Sequence, residues 1–179
     1  MILAIALVCS LVSAPALAAQ SHPTADDVKA AYLFNFGKFV RYPPSPPTGD
    51  FDICLLGHDP VAQLLEHDAL EEHVQDRQVR FKHYDKAADA RSCAIVFMGA
   101  SEALRIDKDL AALDGSNALT VSDIPRFVDH GGMIQFVLQD NKLRFAVNLS
   151  SATHARLALS SELLKVAVYV SPKPTQEAP

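Results

Sequence analysis

The sequence predicts an α/β fold, with a mostly parallel sheet flanked by helices, a C-terminal β-hairpin and two covering helices. Between residues 51 and 121, short continuous apolar runs alternate with helical patterns. This alternation is typical of a parallel sheet that is covered on both faces. From residue 133 the pattern changes to two alternating runs separated by Asp140-Asn141, which predicts a hairpin.

The first 18 residues have the pattern of a signal peptide. Residues 1–17 are almost wholly apolar, are too few for a comfortable membrane span and end on the small-x-small site Ala16-Leu17-Ala18. No Lys or Arg precedes the apolar run, which leaves either an upstream start codon or an atypical signal. We therefore expect export from the cytoplasm.

The exported part has the size of one domain. Removing 18 of the 179 residues leaves 161, and no linker divides them. We expect a single domain over residues 24–171 and a flexible tail at 172–179. A net charge of −5 with mixed signs argues against nucleic acid and anionic membranes as partners, so the expected partner is a protein or a small molecule.

Cys54 and Cys93 are an even pair once the leader is removed. In an oxidising compartment such a pair predicts a disulfide. Two buried thiols are the alternative, and a catalytic cysteine is less favoured because neither residue lies in a Cys-x-x-Cys pair or beside a histidine.

Residues 24–41 are predicted to form the first helix. Thr24 can cap it, and Asp26 and Asp27 favour the positive end of the helix dipole. Arg41 suits the opposite end. The helix is expected either to be wholly buried or to pack on another chain as well, because apolar side chains nearly encircle it: Ala30, Ala31, Tyr32, Leu33, Phe34, Phe36, Phe39 and Val40.

A stiff connector follows the first helix and contains Pro43, Pro44, Pro46 and Pro47. Four strands are then predicted, at residues 51–56, 78–83, 94–98 and 118–121. Gly57 ends the first strand, Asp59 is predicted to cap the next helix, and Pro60 suits its first position. A further helix is expected at residues 102–113. If the third strand neighbours the first, Cys93 can approach Cys54 across the sheet.

The hairpin is predicted from residues 133–139 and 142–148. Pairing Gln139 with Lys142 places three pairs on the face expected to join the core: Leu138 with Leu143, Phe136 with Phe145 and Ile134 with Val147. Arg144 lies on the other face, either in a polar pocket or contact surface, or in solvent with its stem on Val137.

Two covering helices are expected after the hairpin. Ser150 or Ser151 is predicted to cap the first, and Ser160 the second. Their apolar residues are Ala152, Ala155 and Leu159, and then Leu163, Leu164, Ala167 and Val170.

Catalytic and metal-binding patterns do not emerge from the sequence. His67 and His73 are six apart and do not share a helical face, and no Gly-x-Ser-x-Gly motif occurs. We therefore predict an interaction role, with no enzymatic activity, catalytic residue, metal or cofactor.

Three blocks resemble the YfiR-like periplasmic proteins. The first is AAYLFNFGKFV at residues 30–40, followed by Tyr42-Pro43. The second is the glycine turn GGMI at 131–134 with LRFAVN at 143–148, and the third is the terminal SSELL at 160–164. With LGHDP at 56–60, the resemblance covers about residues 28–170.

This resemblance implies a small α/β periplasmic regulator, often dimeric, that is not known as an enzyme. Such a protein holds an inner-membrane diguanylate cyclase inactive, and its release raises cyclic di-GMP and promotes biofilm formation. Other relatives accompany sensor kinases or outer-membrane receptors. Cys54 and Cys93 match one family disulfide, whereas the second pair of some members is missing here.

Export, the apolar first helix and the matched blocks together predict a periplasmic inhibitory binding protein. The predicted contact residues are Phe36, Phe39, Tyr42 and Arg144. The alternative is a periplasmic small-ligand-binding protein in which Arg144 and aromatic neighbours hold an anionic or aromatic metabolite. A hydrolase is the third hypothesis.

Overall fold

The computed structural model describes residues 23–43, 49–68 and 72–171. The predicted leader, the prolines at 44, 46 and 47 and the predicted tail lie outside these residues. The strands are β1 (Val40–Arg41), β2 (Phe51–Leu56), β3 (His73–Val74), β4 (Arg77–Tyr84), β5 (Ile95–Met98), β6 (Leu119–Ser122), β7 (Ile134–Gln139), β8 (Lys142–Asn148), β9 (Ala158–Leu159) and β10 (Tyr169–Ser171). The helices are α1 (Ala25–Phe39), α2 (Val61–Asp68), α3 (Ile106–Leu113), α4 (Leu149–His154) and α5 (Ser161–Val166).

In the described part of the chain, eight strands form one mixed sheet in the order β10-β8-β7-β6-β5-β2-β4-β3. The pairs β7–β8 and β4–β3 are antiparallel, and the other neighbours run parallel. β1 and β9 pair separately as a short antiparallel ribbon. The chain is thus an α/β protein, as predicted. In the described part of the chain, no helix is long and apolar enough to cross a membrane.

The core occupies both faces of this sheet. Alternate residues of β2 belong to different clusters, because successive side chains of a strand point to opposite faces. Ile53 and Leu55 join the cluster beneath α1, whereas Cys54 and Leu56 join the cluster beside α3. Burial on both faces explains why β2 is a continuous apolar run.

Helix α1 begins as predicted, with Thr24 as its cap. The Thr24 hydroxyl accepts a hydrogen bond from the backbone N–H of Asp27 (3.2 Å), and the Asp27 carboxylate accepts one from the backbone N–H of Thr24 (2.6 Å). The predicted end is wrong, because the helix stops at Phe39 and Arg41 lies in β1. Val40 is extended and pairs with Leu159, so sheet pairing replaces the last helical turn.

The segment after β5 also differs from the prediction of one helix over residues 102–113. It contains a 3₁₀ helix at Ala100–Glu102, a turn, and then α3 from Ile106. The second helix starts at Val61, one residue after Pro60. The Asp59 carboxylate caps it by accepting a hydrogen bond from the backbone N–H of Val61 (2.9 Å).

The C-terminal segment departs furthest from the prediction of two covering helices. Asn148, and not Ser150 or Ser151, caps α4, because its side-chain oxygen accepts a hydrogen bond from the backbone N–H of Ser151 (3.0 Å). Leu159 lies in β9 and Val170 in β10, so both leave their expected helices for strands. Ser160 caps α5 as predicted.

The β7–β8 hairpin extends beyond its neighbours in the sheet. β7 pairs with β6 only at Ile134 and Gln135, and β10 pairs with β8 only from Ala146 onward. The observed register pairs Gln139 with Lys142, with Asp140 and Asn141 at positive φ in the turn. Leu138, which we expected in the core, is exposed near the tip because nothing in the described chain covers this end.

Candidate docking surface

Aromatic rings fix α1 against the hairpin. Phe36 lies with its ring centroid 5.1 Å from that of Phe145 and 5.8 Å from that of Phe136, and Tyr32 lies 5.5 Å from Phe145. Phe36 is completely buried. Phe36 therefore supports the surface from below, and its role as a contact residue stays a prediction.

A groove opens above these rings, between α1 and α5. It has a volume of about 280 Å³, and its sides come from Phe39 at the end of α1 and Val166 at the end of α5. Phe39 is 41% exposed and Val166 is 61% exposed. We call this feature the α1/α5 groove; it is lined by Tyr32, Asn35, Phe36, Phe39, Phe145, Glu162, Leu163 and Val166.

Exposed apolar residues continue from α5 into the edge of the sheet. Val168 is 44% exposed and Tyr169, the first residue of β10, is 55% exposed. The backbone N–H of Val168 donates a hydrogen bond to the carbonyl of Phe145 (2.9 Å), which holds this segment to the hairpin. Scattered apolar residues are normal on a protein surface, but grouped ones mark interaction sites. We call Phe39, Val166 and Val168 the apolar patch; Tyr169 is not part of it, because it pairs with Ala146, whose side chain points to the face opposite Phe145.

The other predicted contact residues lie elsewhere. The Tyr42 hydroxyl donates a hydrogen bond to the carbonyl of Ala94 (3.1 Å), and burial raises the pKa of Tyr42 well above its ordinary value. Arg144 is exposed on β8, on the opposite face from Phe145, because side chains alternate along a strand. The structure therefore does not bring the four predicted residues together.

The predicted disulfide is present between Cys54 of β2 and Cys93, which precedes β5. The two strands are parallel neighbours, and the loop before β5 brings Cys93 to within 6.1 Å of Cys54 between Cα atoms. Both cysteines are buried. The bridge thus ties the central strand β2 to the segment that leads into β5.

Lys29 anchors the N-terminal half of α1 at the carboxyl-terminal edge of the sheet. Its ammonium group lies 2.6 Å from the carboxylate of Asp123, which follows β6, and 3.1 Å from that of Asp26. Burial lowers the pKa of Lys29, but the hydrogen bond and charge of Asp123 outweigh it, so this pKa is raised. Burial also raises the pKa of the nearby Asp59.

Val166, Val168 and Tyr169 are surface residues that the sequence did not predict. The predicted second covering helix includes Ala167 and Val170, and so covers the run Val166-Ala167-Val168-Tyr169-Val170. Its β-branched and aromatic residues favour a strand, and this composition was the available signal for β10.

Fold and surface together define a small α/β protein with a group of exposed apolar residues beside a groove between two helices. The family described as YfiR/HmsC-like matches residues 26–168, and the chain therefore belongs to that family. None of the curated proteins compared with the chain matches it.

A solved structure, the crystal structure of a conserved domain protein from Vibrio cholerae O1 biovar El Tor strain N16961, is similar in fold. The TM-score is 0.56 at 10% sequence identity. The match covers 79% of this chain and 60% of that chain, so this protein corresponds to only part of the longer one. At this identity the likeness shows the fold alone.

Proposed function

We propose that this protein is a periplasmic regulator that binds an inner-membrane diguanylate cyclase and holds it inactive, thereby limiting cyclic di-GMP and biofilm formation. Membership of the YfiR/HmsC-like family over residues 26–168 is the observation that carries this proposal. The apolar patch supports it, because exposed and grouped apolar residues suit docking to another protein. In this role the protein acts by binding, without catalysing a reaction.

Inhibition by docking needs differential affinity for two states of the partner. A partner that is half active on its own becomes 99% inactive if the protein binds its inactive state about 100-fold more tightly than its active state. This corresponds to a difference of about 2.7 kcal/mol in binding free energy. At about 25 cal/mol per Å², this equals roughly 110 Å² of apolar surface buried only against the inactive state. Fully burying a Val or Phe side chain contributes about 1.5–3 kcal/mol, and Phe39, Val166 and Val168 still expose 41%, 61% and 44% of their surfaces, so burying all three contributes roughly 2–4 kcal/mol, which is enough.

The test is a deletion strain complemented with patch variants. Deletion should raise cyclic di-GMP and surface attachment, and the wild-type gene should restore both. Val166→Glu should fail to restore them, because it places an unpaired charge where the partner excludes water. Leu104→Glu is the matched control, since Leu104 is fully exposed and lies outside the patch. Unchanged cyclic di-GMP on deletion would refute the cyclase as partner.

A second candidate function, small-ligand binding, is supported by a cavity of about 330 Å³ between α3, β6 and α4. Its lining includes Leu110, Leu113 and Met133 with the polar Ser151 and His154. This volume is at the low end for small-molecule sites. This function would be favoured by a metabolite that raises the melting temperature of wild type but not of Leu110→Trp, and that leaves cyclic di-GMP unchanged.

A further inference from the structure

Two arginines lie together at the amino-terminal edge of the sheet. Arg77 is the first residue of β4, and Arg91 follows a 3₁₀ helix at Ala87–Ala90. Both line one cavity of about 240 Å³, together with Tyr42, Ser92 and Asn117. This cavity is separate from the α1/α5 groove, with which it shares no lining residue.

Main-chain carbonyls hold both guanidinium groups in place. Arg77 donates from Nε to the carbonyl of Gly49 (2.8 Å) and from Nη2 to that of Asp50, and its guanidinium lies 5.3 Å from the centre of the Phe51 ring. Arg91 donates from Nη1 to the carbonyls of Asp114 (2.8 Å) and Ala112. These contacts position the groups but leave their charges uncompensated.

Within residues 23–43, 49–68 and 72–171, neither guanidinium has a carboxylate partner within 4.0 Å. The carbonyls of Asp50 and Asp114 accept these hydrogen bonds, but their carboxylates pair elsewhere. The Asp50 carboxylate lies 3.1 Å from the Arg80 guanidinium, and the Asp114 carboxylate lies 3.2 Å from the His154 ring. A guanidinium carries five N–H donors. In the described structure, Nη1 of Arg77 and both Nε and Nη2 of Arg91 therefore remain as donors for a ligand.

We propose that this cavity, which we call the arginine site, binds the carboxylate group of a small organic molecule. The planar fork of a guanidinium matches a carboxylate through two parallel hydrogen bonds. Tyr42, Pro43 and Ala94 add an apolar wall for the rest of the ligand. Two kinds of ligand carry such a carboxylate, a free metabolite and a peptide with a free C-terminus. The cavity volume of about 240 Å³ is below the roughly 300 Å³ at which sites for drug-sized ligands begin.

The test is titration of the whole mature protein with benzoate, followed by calorimetry and by NMR of the arginine side-chain N–H signals. Benzamide is the matched neutral probe. Benzoate should bind and shift the Arg77 and Arg91 signals, whereas benzamide should do neither. Acetyl-Ala-Phe and its C-terminal amide form the peptide arm, and tighter binding of the acid than of benzoate identifies a peptide as the source.

Variants separate charge from geometry. Arg91→Gln should weaken benzoate binding at least tenfold, and Arg91→Lys should weaken it less because it keeps the charge but loses the planar fork. Arg126→Gln is the control, since Arg126 pairs with Asp129 on a distant loop and should bind benzoate like wild type.

Three results would overturn the proposal: binding of benzoate to Arg91→Gln with wild-type affinity, equal binding of benzamide, or no binding of either carboxylate probe to wild type. Tighter binding of inorganic phosphate than of benzoate would overturn the ligand class. The wild-type signals decide the question even if Arg91→Gln does not fold. None of these results bears on cyclic di-GMP, so this proposal and the proposed function fail independently.

Discussion

At the residue scale, Lys29 links α1 to the sheet through carboxylates on two elements. Lys29→Met leaves Asp26 and Asp123 without their cation, so we expect the free energy of unfolding to fall by about 2 kcal/mol, as for other hydrogen bonds to charged groups. Urea unfolding at neutral pH measures this loss. Lys142→Met, at the exposed hairpin end, is the control and should change stability little.

The raised pKa of Lys29 gives this loss a defined pH dependence. A lysine whose pKa is higher in the folded state stabilises the protein below its ordinary value of 10.5, and that stabilisation disappears as pH rises through the folded pKa. The stability difference between wild type and Lys29→Met should therefore be constant from neutral pH up to 10.5, where the carboxylates are ionised, and should narrow above it. A difference that stays constant above that pH would show that the ion pair contributes nothing.

The disulfide also makes a prediction at this scale. Cys54 and Cys93 are separated by 39 positions, and closing a loop of this length corresponds to about 4 kcal/mol in the chain-entropy description. Reduction should lower the melting temperature, and Cys54→Ser and Cys93→Ser should lower it equally. Labelling of both cysteines by a thiol reagent in the native, unreduced protein would contradict this prediction.

At the scale of elements, the hairpin turn is the most sharply defined. Asp140 and Asn141 both have positive φ, at 50° and 57°. Glycine adopts this conformation without strain, whereas a β-branched residue loses about 1–2 kcal/mol. We expect Asn141→Gly to keep or raise the melting temperature and Asn141→Val to lower it. Equal melting temperatures for the two variants would show that the turn does not constrain the hairpin.

Elements that follow from local chemistry were predictable from the sequence. The capping pattern at Thr24 gave the start of α1, and the continuous run at 51–56 gave β2. The strands β9 and β10 were missed because each has only two or three residues and forms only by pairing with distant β1 and β8. Local composition favours a strand at β10, but the distant pairing that forms both strands is a tertiary effect that local propensity does not encode.

At the scale of the whole molecule, the candidate site was only partly predictable. The apolar circumference of α1 predicted either complete burial or packing on another chain as well. Burial is incomplete, because Phe36 is buried but Phe39 is 41% exposed, and packing on another chain stays a prediction. The partners of Phe39 in the groove come from α5, more than 120 positions later in the chain. Sequence spacing alone does not predict this contact between distant segments. It also does not show that Arg144 lies on the opposite face of β8 from Phe145, so Arg144 was predicted as a contact residue together with Phe39.

The central claim is that the apolar patch docks onto a membrane-bound cyclase. Its most direct test is site-specific photo-crosslinking in living cells, with the photoreactive residue placed at Phe39 or, as control, at Leu104. We predict a crosslink from Phe39 to an inner-membrane protein that carries a diguanylate cyclase domain, and none to it from Leu104. Equal crosslinking from both positions, or no membrane protein captured at Phe39, would contradict the account.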